Sequence, residues 1–128
     1  MKATKMLLDY AATYPDVTIR FHASDMILHA ESDAAYLVQP EAKSWIAGYF
    51  YLSTHPPSPP LIPTPPRNGP LHIVCKTLRH VVASAAGAET AALFFNSQEA
   101  IPIRYILSKL GHKQPPTPMK TNIIPFVN

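Results

Sequence analysis

The chain has 128 residues, of which 47% are hydrophobic and 15% charged, a composition that supports one buried core and excludes compositional disorder. Its formal charge of +3 permits contact with a polyanion without requiring it. Cys75 is the single cysteine, so an intrachain disulfide is excluded, and no apolar run approaches the roughly 18 residues of a membrane helix. With no signal-peptide pattern, these features predict one intracellular domain, cytoplasmic or nuclear, without a membrane partner.

The N-terminal segment carries apolar residues at helical spacing. They are Met6, Leu7, Tyr10, Ala11 and Tyr14. Pro15 closes the segment, so the pattern predicts a short amphipathic helix. Apolar and polar side chains then alternate over residues 17–21, which predicts a short strand or an extended connection.

Three later segments predict the strands of a sheet, near residues 26–33, 45–53 and 70–77. Between the second and third, residues 54–70 hold eight prolines and end in the turn signal Asn68-Gly69. Proline removes donors from a strand ladder, so this segment is predicted to be a long, partly polyproline loop within a hairpin. A proline-rich ligand for an adaptor domain is the alternative for the same loop.

From about Val82 the period of the apolar pattern changes from 2 to 3.6. The residues on one helical face are Val82, Ala85, Ala86, Glu89, Ala92, Leu93 and Asn96. The pattern predicts a helix near 82–97 and a second helix near 102–110 that begins at a proline and stops at Gly111. The segment 119–128 predicts a last strand, so the order of elements indicates an α/β fold with a hairpin sheet covered by helices.

Two carboxylates stand out in this pattern. Glu89 is charged within an otherwise apolar stretch of the helical face, and a buried carboxylate needs a metal, a cation or a groove open to solvent. A surface glutamate is the alternative. Asp33 ends the first predicted strand, with Glu31 on the same strand face, and it is either a turn-former or a catalytic group. An aspartate and a glutamate so placed resemble half of a cluster that holds magnesium for phosphodiester hydrolysis.

The other candidate residues are predicted to have structural roles. The six histidines have no paired spacing typical of metal ligands. Three basic residues before the glutamate helix predict a solvated edge, with phosphate contact as the alternative: Lys76, Arg79 and His80. Three aromatic residues share one strand face and predict cover of the sheet rather than a base-stacking platform: Trp45, Tyr49 and Tyr51.

Two stretches resemble the ribonuclease H region of copia-type retrotransposon polyproteins. The first, YAATYPDVTIRFHASDMILHAESDAAYLVQPEAKSWIAGYFYLS, resembles the segment that joins reverse transcriptase to ribonuclease H. The second, VVASAAGAETAALFFNSQEAIPIRYILSKLGHKQPPTPMKT, is similar to the glutamate helix of that domain and the approach to its next acidic strand. The resemblance runs from about Leu7 to Thr121.

The resemblance implies a ribonuclease H-like fold, in which an acidic cluster binds magnesium and cuts the RNA strand of an RNA–DNA hybrid. In the family's motifs the first aspartate lies in a Ser-Asp-Ala segment, here Ser32-Asp33-Ala34, and the metal-binding glutamate corresponds to Glu89. Residues 1–24 then correspond to a helix and connector from the reverse-transcriptase side. Residues 25–128 correspond to a partial ribonuclease H-like domain.

The sequence departs from the family pattern at three places. Gly87 stands two residues before Glu89, where the family usually has an acid, and Asn122 follows Thr121, where the family has an aspartate. No acidic residue follows Glu99, and the family's final strand, helix and aspartate have no counterpart here. The sequence therefore predicts weak or lost magnesium binding and a catalytically defective site.

Taken together, these patterns predict an α/β, ribonuclease H-like domain truncated at its C-terminus. Its elements are a three-stranded antiparallel hairpin sheet, helices and a short further strand. The alternatives are a non-catalytic module that binds an RNA–DNA hybrid or a protein, and a functionless translated relic. The apolar residues at 6–14 also predict a marginal domain or one that self-associates.

Overall fold

The computed structural model describes residues 2–54 and 67–121. These residues form two helices and four strands, with a short 3-10 turn between the first two strands. In chain order they are α1 (Lys2–Thr13), β1 (Ile27–Gln39), the 3-10 turn (Pro40–Ala42), β2 (Lys43–Ser53), β3 (Pro70–Thr77), α2 (Ala85–Lys109) and β4 (Met119–Thr121).

The strands form one mixed sheet in the order β3-β2-β1-β4. The first three strands are antiparallel neighbours, as the alternating pattern predicted, and β4 runs parallel to β1. In this register Asp33 lies opposite Ala47, which lies opposite Cys75 on β3. The α/β class, the three-stranded antiparallel sheet and the short further strand are therefore confirmed.

The first strand is longer than predicted, which corrects the placement of Asp33. Pairing of β1 with β2 continues through Ala35 and resumes at Gln39 after an irregularity, so Asp33 lies inside the strand. Pairing of β1 with β4, in contrast, stops at Ser32. An acidic residue is compatible with this position because its side chain is exposed, one residue past the last pair of β1 with β4.

One helix replaces the two that were predicted over 82–97 and 102–110. It begins at Ala85, because Ser84 accepts a hydrogen bond from the Gly87 amide at 3.0 Å and so caps the first turn. It continues through Pro102, which has no amide hydrogen, so the Gln98 carbonyl lacks its usual partner. Both Pro102 and Gln98 are exposed. Water can satisfy that carbonyl, so the proline does not end the helix.

The buried face of α2 also differs from the predicted one. Ala85 and Ala86 are exposed, and the buried residues are Ala88, Ala92, Asn96, Ala100 and Leu107. Small side chains on this face allow the helix to lie close to the sheet. Its C-terminal half packs on Leu28, Ala30, Phe50 and Val74.

The closest approach of α2 to the sheet is at Asn96 and Gly48. Asn96 is fully buried, and its side-chain nitrogen donates to Ser32 Oγ at 2.9 Å and to the Ala47 carbonyl at 2.8 Å. A Cβ atom at position 48 would lie 2.3 Å from Asn96 Oδ1, so only glycine fits there. This contact fixes the height of α2 above β1 and β2.

The N-terminal segment lies outside this core. The predicted helix is confirmed as α1, but none of its residues is buried. Residues 17–21 are exposed and belong to the connection between α1 and β1 rather than to a strand. The proline-rich loop at 55–66 and the segment 122–128 lie outside the described residues.

Candidate acidic site

Asp33 and Glu89 meet at one backbone amide of β1. The Ala34 N–H donates to Asp33 Oδ1 at 2.9 Å and to Glu89 Oε1 at 3.3 Å. The sequence elements that bring these carboxylates together are a strand and a helix far apart in the chain. The structure thus places the two sequence-predicted acidic residues side by side.

The Ala34 amide can bind the two carboxylates because alternate residues of a strand direct their amides to the same edge. On the β4 side of β1, the Leu28 N–H donates to Gln114 Oε1 at 2.9 Å, and the Ala30 N–H donates to the Pro118 carbonyl at 3.1 Å. The next residues with amides on this edge are Ser32 and Ala34. The last pair between β1 and β4 is at Ser32, so Ala34 lies past the end of that pairing. The Ala34 amide is therefore beyond the reach of the described part of β4, and carboxylates take the place of a strand carbonyl.

The electrostatics of the pair are unfavourable for two full negative charges. Burial raises the pKa of Glu89, and the charge of Asp33 and a hydrogen bond between the two carboxyl groups raise this pKa further. The Ala34 amide and the Thr121 hydroxyl, which donates to Glu89 Oε2 at 3.4 Å, act in the opposite direction. A divalent cation would relieve the repulsion between these carboxylates.

The third predicted carboxylate, Glu31, does not join this pair. Arg67 forms a salt bridge with Glu31 and donates from Nε to Glu31 Oε1 at 2.9 Å. Within residues 2–54 and 67–121, no three side chains of the His, Cys, Asp and Glu types form a group that could hold a metal ion. Asn122, at the expected third acidic position, lies outside the described residues.

A groove of about 420 Å³ runs along the sheet face beside Asp33. Its charged and reactive lining residues are Glu31, Asp33, Arg67, Cys75 and Lys120. Cys75 is exposed there although its surrounding run is apolar. The charges are of mixed sign, so they give the groove no strong preference for anions.

The basic residues before α2 lie on the other side of that helix from Glu89. Lys76 donates to Glu99 Oε1 at 3.2 Å and lies 5.1 Å from the centre of the Phe95 ring, while Arg79 and His80 are exposed. A pocket of about 400 Å³ adjoins these cations near Phe95. The acidic pair and the basic edge are thus two separate surfaces.

The predicted aromatic strand face is mainly cover for the sheet. Tyr51 is buried and stacks on His29 with ring centres 5.5 Å apart, and the Tyr49 hydroxyl donates to the Asn68 carbonyl at 2.7 Å. Trp45 is 43% exposed at the far end of β2. These residues do not form a continuous stacking platform.

Sequence reasoning missed the two groups that hold Glu89 in place, the Ala34 amide and the Thr121 hydroxyl. The family motif already placed Thr121 immediately before an expected acidic residue, and that proximity was the available signal. No feature of the sequence predicted the role of the Ala34 amide, because the sequence pattern does not indicate where the pairing of β1 with β4 stops.

No protein-family model, curated protein or solved structure matches this chain. Among the described residues, no helix is long and apolar enough to cross a membrane.

Proposed function

We propose that this chain carries a ribonuclease H-like domain from a copia-type retrotransposon polyprotein, with its hybrid-cleaving site reduced to Asp33 and Glu89. The observation that carries the proposal is the meeting of these two carboxylates at the Ala34 amide. The chain has eight acidic residues, and the family motifs single out the two that meet. The antiparallel β1–β3 sheet, with a glutamate-bearing helix packed on it, agrees with the same resemblance.

The residues present suit one divalent cation rather than two. Asp33 and Glu89 would hold a single Mg²⁺ through carboxylate oxygens, and such an ion supplies Lewis-acid stabilisation of phosphoryl charge. Two ions would bring four positive charges, whereas this pair supplies at most two negative charges. Glu31 adds none to the site because Arg67 neutralises it.

The chain is therefore proposed to bind magnesium weakly and to lack efficient cleavage of an RNA–DNA hybrid. In two-metal phosphodiester hydrolysis one ion faces the attacking oxygen and the other the leaving oxygen. A site with one weakly held ion cannot stabilise both oxygens. The carboxylates are then a remnant of an ancestral activity.

The test is cleavage of an end-labelled RNA–DNA hybrid in magnesium or manganese. We expect no product above a buffer control, and no difference between the unmodified chain, Asp33→Asn, Glu89→Gln and Glu41→Gln. The last variant is a matched control, because Glu41 is an exposed carboxylate that pairs only locally with Lys43. Efficient cutting that Asp33→Asn and Glu89→Gln abolish and Glu41→Gln preserves would overturn the proposed defect.

A second candidate function is binding of a hybrid without cleavage. The observation that favours it is the exposed pair Arg79 and His80 beside Lys76, on a chain with a net charge of +3. Retained hybrid affinity that falls with salt, and that Arg79→Ala weakens more than Arg20→Ala, would support the binding module. Arg20 is the control because it is an exposed arginine in the N-terminal connection.

A further inference from the structure

The exposed helix α1 carries an uncovered apolar surface. Six apolar residues share one side of the helix and of the residue that follows it, whereas Lys5, Asp9 and the apolar Leu8 lie on the other side. This α1 stripe consists of Ala3, Met6, Leu7, Tyr10, Ala11 and Tyr14. Its large side chains are 55–67% exposed, well above what a helix packed on its own domain would show.

A second uncovered surface is a groove of about 440 Å³ between the start of β3 and the C-terminal half of α2. This α2 groove is lined by Leu71, Pro102, Ile103, Ile106, Leu107 and Leu110, with His72 and Glu99 at its margin. Leu71, Ile106 and Leu110 are 49%, 56% and 69% exposed. Contiguous exposed apolar side chains of this kind are typical of interaction sites.

The two surfaces match in length and chemistry. The stripe runs over residues 3–14, one residue past the end of α1, and the groove follows residues 99–110, one residue past the end of α2, so each is about 18 Å long at 1.5 Å per residue. The stripe offers aliphatic and tyrosine side chains and the groove offers aliphatic ones, and both sets recur at i, i+3 and i+4, the pattern of helices that pack against each other.

The connection to α1 is fixed close to the groove. The Gly69 amide donates to the Arg20 carbonyl at 2.9 Å, and the Asn68 side chain both accepts from the His22 amide and donates to the His22 carbonyl, each at 2.8 Å. These bonds anchor the connection two residues before Leu71. From this anchor α1 leaves its own domain without becoming buried, so within residues 2–54 and 67–121 no segment covers the stripe or the groove.

We propose that α1 of one copy packs in the α2 groove of a second copy, and that the exchange is reciprocal. Both copies use the same pair of surfaces, which gives a closed two-fold dimer. Two such contacts would bury on the order of 1,200 Å², the lower end of the range for stable protein interfaces. This inference does not rest on the proposed function, because none of its residues belongs to the acidic pair.

The first test is analytical ultracentrifugation of the full chain over a hundredfold concentration range. We expect a monomer–dimer equilibrium that Leu7→Glu and Ile106→Glu each weaken at least tenfold. Matched controls lie on the same two helices: Leu8→Glu and Ile101→Glu should leave the equilibrium unchanged. Leu8 and Ile101 are 63% and 59% exposed, like the residues they control for, but face away from the stripe and the groove. A monomer at every concentration, or equal effects of all four variants, would overturn the proposal.

The second test distinguishes exchange between copies from docking of α1 on its own domain. Cys75→Ser removes the only native thiol, and Leu7→Cys and Ile106→Cys are then introduced into separate chains. Oxidation of the mixed chains should give a disulfide-linked heterodimer in excess of both homodimers. A chain that carries both substitutions and cross-links only within itself would show own-domain docking and would contradict the exchange.

Discussion

The two ends of the β4-facing edge of β1 satisfy the same kind of backbone amide in different ways. At one end, the Leu28 N–H donates to the neutral side chain of Gln114 at 2.9 Å. At the other end, the Ala34 N–H is shared by two carboxylates, Asp33 and Glu89. Both amides lie beyond the backbone carbonyls that β4 supplies, so each needs an acceptor from a side chain.

The difference shows what the fold does and does not require. One neutral oxygen is enough to satisfy the Leu28 amide, and Gln114 also donates to the carbonyls of Met26 and His112. Two carboxylates at the Ala34 amide exceed this requirement, and their mutual repulsion contributes to the raised pKa of Glu89. A charge arrangement that the fold does not need, and that costs stability, is the expected mark of a functional site.

The largest predicted effect is at the neutral end of this edge. Gln114→Ala should lower the free energy of unfolding by about 2 kcal/mol, because it leaves the fully buried Leu28 without a partner for its amide. It also removes the bond that holds Met26, a non-glycine residue with φ of 59°. Urea denaturation measures the change.

The matched control is Gln98→Ala, an exposed glutamine of α2, which should change the free energy of unfolding by less than about 0.5 kcal/mol. If both substitutions had the same small effect, Gln114 would not be the structural counterpart of the acidic pair.

A smaller effect is expected when the missing charge is supplied. Asn122→Asp should tighten magnesium or manganese binding about tenfold, since a third carboxylate adds negative charge next to Thr121. It should not produce efficient hybrid cleavage. Asn128→Asp adds the same charge six positions later and serves as the control. Equal tightening by both substitutions would indicate general charge attraction rather than a site at Glu89.

The smallest effect concerns Glu89 without metal. Its pKa is raised above the ordinary value of 4.5 in the folded chain, so this carboxyl contributes most stability below about pH 4.5 and loses that contribution as pH rises through the folded pKa. Glu89→Gln keeps an acceptor for Ala34 but has no such titration. Its stability relative to the unmodified chain should therefore rise with pH. Thermal unfolding from pH 4 to pH 8 gives the profile, and a relative stability that fell with pH would reverse the assigned sign.

The same edge shows how far sequence reasoning reaches. Periodicity predicted the three antiparallel strands and located the helix that carries Glu89, because apolar spacing reflects which face is buried. It did not predict that α2 passes through Pro102, since that depends on the exposure of the Gln98 carbonyl. Gln114 gave no signal at all, because a single polar residue in a proline-rich stretch does not reveal a partner on a distant strand. Glu89 stood out as a charge on an apolar helical face and Asp33 as an acid near a strand end, but neither local pattern indicated that the two would meet.

The most direct test of the central claim is the stoichiometry of Mn²⁺ binding, measured by electron paramagnetic resonance of free manganese. We expect one weak site per chain, lost in Asp33→Asn and in Glu89→Gln and retained in Glu41→Gln. Two tight sites per chain, or one site that persists in Glu89→Gln, would contradict the assignment of Asp33 and Glu89 as a reduced metal-binding pair.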